Sequence, residues 1–408
     1  MVLGIVAEYN PFHNGHLYHL LKSKEFTNDN YVVAVIGGNF TQRGEASIVD
    51  KWVKSEMAIA NGVDLVLELP TLYSVSSAEN FADGAVKLLN SLKIIDHMSF
   101  GSECHELNKL NIVANTLYEE PKEFKNILNL ELSKGLSFPK ARENALIAYL
   151  NDKNLMNILV EPNNILAIEY LKALKKHRSK IKPVLIPRKK SGHLNPSYTG
   201  EITSATAIRN MLKTNNTRNL KTALTPSSYT ILKEEIGKGH FVKDFSEFEK
   251  ICFYNLRSKI LSGIKELPDV NEGLENLIQK AALSTNSEKE FINIVCSKRY
   301  TETRIKRILL YSLLNITKRE MDMSKKVVPY ARVLGFNDKG KYLLSKIHKA
   351  NPNLKVITSV KKFIDNNNSK NLQIMLDKDI FATNVYTLGY PKDSWGNLDF
   401  TQKIISGG

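Results

Sequence analysis

The chain has 408 residues, 42% hydrophobic and 24% charged, a balance that fits folded domains and excludes extended disorder. Its length exceeds what a single core organises, so two or three domains are expected. Lys and Arg number 57 against 42 Asp and Glu, a net charge of +15 that attracts polyanions, although a generally lysine-rich composition would produce the same excess. Cys104, Cys252 and Cys296 stand far apart with no C-x-x-C spacing, which argues for reduced thiols rather than disulfides or a zinc site. No uninterrupted apolar run approaches ~18 residues and no leader pattern opens the chain, so a cytoplasmic protein without membrane contact is expected.

Leu3, Ile5 and Val6 form a short uncharged run that reads as a buried strand. Pro11 ends it, and Leu17, Leu20 and Leu21 recur at helical spacing. The turn between them carries His13-Asn14-Gly15-His16. Backbone N–H groups at a helix start lack internal partners and attract anions, Gly15 has no Cβ to block an approaching nucleotide, and two imidazoles can donate to a phosphoryl group. Packing histidines on an ordinary first helix are the alternative. Three histidines and a glycine at one strand-to-helix turn favour phosphate binding.

A second buried strand over 31–37 leads into the polar loop Gly37-Gly-Asn-Phe-Thr-Gln-Arg43-Gly44, where Arg43 is a candidate for phosphate or RNA contact or a solvated loop residue. The pattern continues with a helix over 49–61, a strand over 63–70, a helix over 76–89 with Ser76 as a possible cap, and a strand over 94–100. Strands alternating with helices imply a parallel, doubly wound α/β sheet of Rossmann-like type. Gly101 closes the fourth strand at the expected ligand crevice. A helical insertion is expected over about 104–160, broken at Pro121 and Pro139. Another helix opens at Glu161-Pro-Asn163-Asn, with Asn163 as cap or first-turn residue.

A fifth strand over 182–187 ends in Arg188-Lys189-Lys190. Between Tyr170 and Gly200 no acidic residue occurs while nine cations accumulate, suited to triphosphate oxygens at the strand end and RNA phosphates on the preceding helix. A solvated basic helix is the alternative, and it accounts for the helix lysines better than for Arg188. Ser204-Ala-Thr206-Ala-Ile-Arg209 begins the next helix, where hydroxyls and free N–H groups can grip phosphates. Beyond residue 213 the sheet pattern fades into helices over 245–263, 274–282, 288–296 and 301–315, and mixed character returns from 329, with strands over 330–335 and 356–358. The expected division is a catalytic domain over 1–215 and a mainly helical, RNA-binding domain over 216–408. Arg299-Tyr300-Thr-Glu-Thr-Arg304-Ile-Lys306-Arg307 alternates cations with an aromatic and hydroxyls, a pattern that can hold RNA. The same run also reads as the solvated face of a core helix, since Ile305, Ile308, Leu309 and Leu313 make a buried stripe.

The His13-Asn-Gly-His16 turn after a strand, followed five strands later by Ser204-Ala-Thr-Ala-Ile-Arg209, resembles the paired signatures of the H-x-G-H nucleotidyltransferase superfamily. Ala205 replaces a commoner Ser or Thr. The longer run Glu8-Tyr-Asn-Pro-Phe-His-Asn-Gly-His-Leu-Tyr-His19 is similar to the bacterial tRNA(Met) cytidine acetate ligase family. That resemblance implies a cytoplasmic enzyme whose substrates are ATP, acetate and elongator tRNA(Met), with Mg²⁺ accompanying ATP and no dedicated metal site. It implies ATP contacts at Val6, Ala7, Glu8, Tyr9, Asn10, Pro11, Phe12, His13, Asn14, Gly15, His16, Leu17, Tyr18 and His19, and at Gly101, Asn163, Arg188, Ser204 and Thr206. His13, His16 and Arg209 carry the catalytic expectation, and Lys189, Lys190, Arg299, Arg304, Lys306 and Arg307 the RNA contacts. The alternatives are an adenylyltransferase of a small phosphorylated cofactor precursor and a non-catalytic RNA-binding protein that retains the nucleotide fold.

Overall fold

A computed structural model describes residues 1–156, 158–188, 200–260, 263–271, 273–297, 299–392 and 395–407. Its strands are β1 (Val2–Ala7), β2 (Tyr31–Gly37), β3 (Leu65–Leu69), β4 (His97–Ser102), β5 (Lys182–Pro187), β6 (Ala331–Phe336), β7 (Val356–Ile357) and β8 (Ile405–Ser406). They form one sheet in the order β5-β4-β1-β2-β3-β6-β7, with β8 also paired to β6. Strands β1 to β5 run parallel, and β6 is antiparallel to β3.

The strands are apolar on both sides because both faces of the sheet are covered. Along β2, Val33 and Val35 enter one core cluster while Val32, Ala34 and Ile36 enter the other, the two-residue alternation of a strand dividing its side chains between faces. Helices Asn14–Thr27, Lys51–Ala60 and Ala205–Lys213 lie in the second layer. Helices Ala78–Ser91, Leu107–Glu119 and Pro162–Lys176 lie in the first.

Local sequence accounts for most boundaries. Asp50 caps Lys51–Ala60 by accepting the N–H groups of Trp52 and Val53 at 2.9 Å. Ser77, not Ser76, caps Ala78–Ser91, while the Ser76 hydroxyl turns back to the Tyr73 carbonyl. Pro121 immediately precedes Lys122–Ser133 and Pro139 is the second residue of Phe138–Leu150, so these prolines start helices, where a missing N–H carries no penalty.

The expected boundary at 215 does not confine the sheet. The C-terminal part contributes β6, β7 and β8 to it, and β6 continues from β3 through Glu68 and Arg332. A buried charge cluster fastens this junction. Lys51 Nζ lies 3.0 Å from Glu68 and 2.8 Å from Asp399, and Arg332 lies 3.1 Å from Glu68 and 2.5 Å from Asp399.

Candidate active site

From β1 the chain builds outward through β2 and β3, then returns to the other side of β1 for β4 and β5. This reversal places a crevice outside the carboxyl ends of β1 and β4, where open α/β sheets bind ligands. A cleft of about 1420 Å³, its open mouth included, occupies that position. Its walls include Val6 and Ala7 from β1, Phe100 and Gly101 from β4, and Ile186, Pro187 and Arg188 from the end of β5. Glu8, Tyr9, Asn10, His13, Gly15, His16, Tyr18, His19, Asn163, Ser204 and Arg209 complete the expected residues that line it.

His13 caps helix Asn14–Thr27, and its Nδ1 accepts the Gly15 N–H at 2.9 Å. His16 Nδ1 in turn accepts the His13 N–H at 3.3 Å. Two imidazoles thereby form a reciprocal capping box where Ser or Thr and Glu usually stand. With Nδ1 accepting, each neutral ring carries its proton on Nε2 as a donor. The rings lie 3.9 Å apart, with Tyr9 and Phe12 packed on His16 at 4.9 and 5.6 Å. Paired donors at a helix N-terminus suit an anionic phosphoryl group.

Gly15 has a nearer reason than nucleotide approach. A Cβ there would sit 2.7 Å from His13 Cε1, so the glycine is what lets the capping ring fold over the helix start. Asn14 does not line the cleft. Its Nδ2 donates to the Glu201 and Thr222 carbonyls at 3.0 and 2.8 Å, bracing the segments on either side of helix Ala205–Lys213. Asn10 Oδ1 accepts the Ile48 N–H at 2.8 Å.

Arg188 leaves β5 at the cleft wall, with Nε 3.6 Å from Glu103. Burial lowers its pKa and Glu103 opposes that shift. Gly101 makes room for it, since a Cβ would lie 3.3 Å from Arg188 Cγ. Glu103 also accepts from the Asn163 amide, so Asn163 is oriented by the same carboxylate. His19 Nε2 lies 3.0 Å from Ser99 Oγ. Burial, and then the positive charge of Arg188, pull its pKa down to about 4, keeping the ring neutral.

Ser204 caps Ala205–Lys213, its Oγ accepting the Ala207 N–H at 3.0 Å. Arg209 reaches back from that helix to the Asn10 carbonyl at 3.3 Å, Glu45 at 3.1 Å and Thr206 Oγ1 at 3.3 Å. Thr206 therefore orients Arg209 from outside the cleft, and Pro11, Phe12 and Leu17 also lie outside its lining. Arg43, the loop candidate for phosphate or RNA contact, lines it as well, and Gln42, Phe81, Leu166, Tyr170 and Thr203 line it in addition. Leu166 and Tyr170 had a legible signal: they follow Asn163 at i+3 and i+7, on one helical face.

The basic run at 299–307 is largely bonded within the fold. Arg304 donates to the Asp269 carbonyl at 3.1 and 2.7 Å and to Asn271, and stacks over Tyr300 at 5.2 Å. Arg307 meets Asp269 at 3.3 Å, and Lys306 meets Glu302 at 2.8 Å. Arg299 lies 5.8 Å over the Tyr300 ring. These bonds favour the helix-packing reading of that run. Lys189 and Lys190 lie outside the described residues. On helix Pro162–Lys176, Lys172, Lys175 and Lys176 are paired with Glu169, Glu119 and Asp83. Among the described residues, no group of three or more His, Cys, Asp or Glu could hold a metal, and no helix is long and apolar enough to cross a membrane.

A mostly parallel sheet with a histidine-capped helix at its switch point is the arrangement expected of a nucleotidyltransferase-type protein, and the HIGH Nucleotidyl Transferase family model matches residues 1–398. The chain belongs to that family. Within it, the chain is 47% identical over 408 residues, 99% of both chains, to the tRNA(Met) cytidine acetate ligase of Thermoanaerobacter sp. (strain X514). It is 40% identical over 413 residues to that of Acetivibrio thermocellus, again with 99% of each chain covered. The crystal structure of Thermotoga maritima TmcAL in its apo form is similar with a TM-score of 0.95 and 35% identity, covering 99% of both chains. The same protein bound with alpha-thio ATP gives 0.92 and 34%, with equal coverage.

Proposed function

We propose that this protein is an ATP-dependent ligase that activates acetate as acetyl-adenylate and acetylates N4 of the wobble cytidine of elongator tRNA(Met) in the cytoplasm. The observation that carries the reading is the pair of Nε2–H donors made by the His13–His16 capping box at the switch-point cleft, in a chain 47% identical to named ligases. In the first step an acetate oxygen attacks the α-phosphorus of ATP, and pyrophosphate leaves. In the second the cytidine N4 amine attacks the acetyl carbon, the P–O–C linkage breaks with AMP as leaving group, and the amine loses a proton.

A carboxylate is a poor acyl donor until joined to AMP, so the protein's work is alignment and stabilisation of developing charge. His13 and His16 serve the α- and β-phosphates, Arg188 the phosphates on the opposite wall, and Ser204 and Arg209 the pyrophosphate end, with Thr206 holding Arg209. No residue is required as a covalent nucleophile. Among the described residues Glu8 is the one carboxylate in the cleft lining, and it already accepts the Gln42 N–H at 2.7 Å. Mg²⁺ would therefore arrive on the triphosphate rather than in a protein cage.

The test is incubation with labelled acetate, ATP and bulk tRNA. Label in tRNA supports the ligase. Transfer of AMP to a phosphorylated small molecule would replace it with a cofactor adenylyltransferase, and tRNA binding without nucleotide turnover with a non-catalytic binder.

A further inference from the structure

Residues 339–364 contain seven lysines, at 339, 341, 346, 349, 355, 361 and 362, and no Asp or Glu. All seven are exposed, and none makes an ion pair among the described residues. Elsewhere on the surface Lys22, Lys134, Lys140 and Lys238 each pair with a carboxylate three residues away, while Lys122, Lys233 and Lys289 make no ion pair among the described residues, so what sets this stretch apart is its lack of any Asp or Glu. A lysine-rich composition explains the number of lysines. It does not explain the absence of every compensating carboxylate over 26 consecutive residues.

The platform is rigidly mounted. In helix Asp338–Ala350, Gly340, Leu343 and Ile347 face the core. Asn337 caps the helix by accepting the Gly340 N–H at 3.0 Å and donates to Asp64 at 3.0 Å, tying it to the loop before β3. The helical repeat then turns Tyr342, Ser345, Lys346 and Lys349 outward in one stripe, with Lys341 beside it. Lys346 lies 5.1 Å over the Tyr342 ring, and Tyr342 lies 5.5 Å from Tyr31, the first residue of β2. The catalytic cleft lies at the other end of the parallel strands, so roughly 20 Å of sheet separates the two.

We infer that this lysine face is a docking surface for the phosphate backbone of RNA, contacting the tRNA at a distance from the cytidine in the cleft. Cations without partners release no carboxylate on binding, and an exposed tyrosine beside a lysine offers a ring to a nucleotide. The separation calls for an extended polyanion, since a mononucleotide cannot touch both places. An anionic lipid surface is the weaker match, because a membrane-seeking face presents large apolar side chains among its cations. The inference rests on the proposed reaction with tRNA.

The triple variant K341S/K346S/K349S is compared with wild type and with K122S/K125S/K153S, which removes equal charge from the exposed helical insertion. tRNA affinity is measured across salt concentrations, alongside acetate-dependent ATP–pyrophosphate exchange without tRNA. The first variant is expected to bind tRNA roughly tenfold more weakly at ~0.1 M salt, with a salt slope shallower by about 2, while exchange and melting temperature stay unchanged. The control variant is expected to stay within about twofold. Equal losses in both variants, or no loss in the first, would overturn the inference. So would retained tRNA affinity with lost binding to phosphatidylserine vesicles. If wild type puts no acetyl label into tRNA, the functional reading itself fails; if it does and K341S/K346S/K349S binds normally, this inference alone fails.

Discussion

At Gly15 the absence of a side chain decides where the His13 imidazole can lie. The His13 ring caps the helix only by lying where a Cβ would be, 2.7 Å from Cε1, so Gly15→Ala must push the imidazole away from the Gly15 N–H. The loss of a cap costs about 1 kcal/mol. The larger consequence falls on the chemistry, because the displaced ring no longer holds Nε2–H towards the cleft. Gly15→Ala is expected to lower acetate-dependent pyrophosphate exchange by roughly 10²-fold, the scale of losing one preorganised donor, with only a few degrees off the melting temperature. Exchange within threefold of wild type would reject the capping-box account. His19 gives the fold a pH dependence. Its folded pKa of about 4 lies below the ordinary 6.5, so the unfolded chain binds the proton first. Stability is fully present above pH ~6.5 and is lost as pH falls towards 4, by at most about 3 kcal/mol. Urea titrations of wild type and His19→Gln between pH 4 and 7 test this: the variant should lose part of the pH slope.

The histidine turn and the helix start at 204 were legible in the sequence because their pattern is local, but the capping role of His13 was not, since histidine seldom caps a helix and its ring read only as a phosphate donor. Arg209 could be picked out, but not its company. Glu45, Asn10 and Thr206 meet at its guanidinium, and two of the three come from loops more than 160 positions away. The loop following β2 explains why. Gly44 has φ +80° and is pressed on the backbone of helix Glu302–Leu313, where a Cβ would come 2.5 Å from the Lys306 carbonyl carbon. The tip of the cleft loop is thus seated on the helical region, with Glu45 between Arg209 at 3.1 Å and Lys306 at 3.9 Å. Glu45→Gln keeps the volume and removes the charge. It is expected to lower pyrophosphate exchange about tenfold through kcat while the fold persists, read from initial rates across ATP concentration and from thermal melts. Arg304 belongs to the same helix and has a different expected effect. Its three hydrogen bonds close the turn at Asp269, so Arg304→Ala should cost about 2 kcal/mol of stability. The folded fraction should keep wild-type tRNA affinity. A fall in that affinity at unchanged stability would restore the run at 299–307 as an RNA contact.

Across the whole molecule, the alternating strands and helices over the first two hundred residues announced the parallel sheet, but its completion by β6 was hidden. The strand at 331–336 was recognisable by itself. Nothing local told it to pair with β3, because the instruction is a charge balance spread over 348 positions between Lys51 and Asp399. Read along its own helix, Lys51 is an ordinary first-turn lysine. In the fold it is fully buried, and Lys51 and Arg332 offset Glu68 and Asp399 in pairs. Such a cluster gives little net stability over an apolar equivalent, yet it is costly to break, since one deletion strands a buried charge. Arg332→Met should therefore destabilise the protein by about 3–5 kcal/mol. Adding Glu68→Gln and Asp399→Asn, which neutralises the stranded carboxylates but leaves Lys51 unpaired, should make matters no better. Further changing Lys51→Met, so that none of these four charges remains, should recover most of the loss. Chemical denaturation of the single, triple and quadruple variants measures this order, and amide exchange over residues 395–407 should quicken in the first two. Recovery already in the triple variant would mean that Lys51 tolerates burial alone, and that the junction between the two parts of the sheet is held by packing rather than by charge.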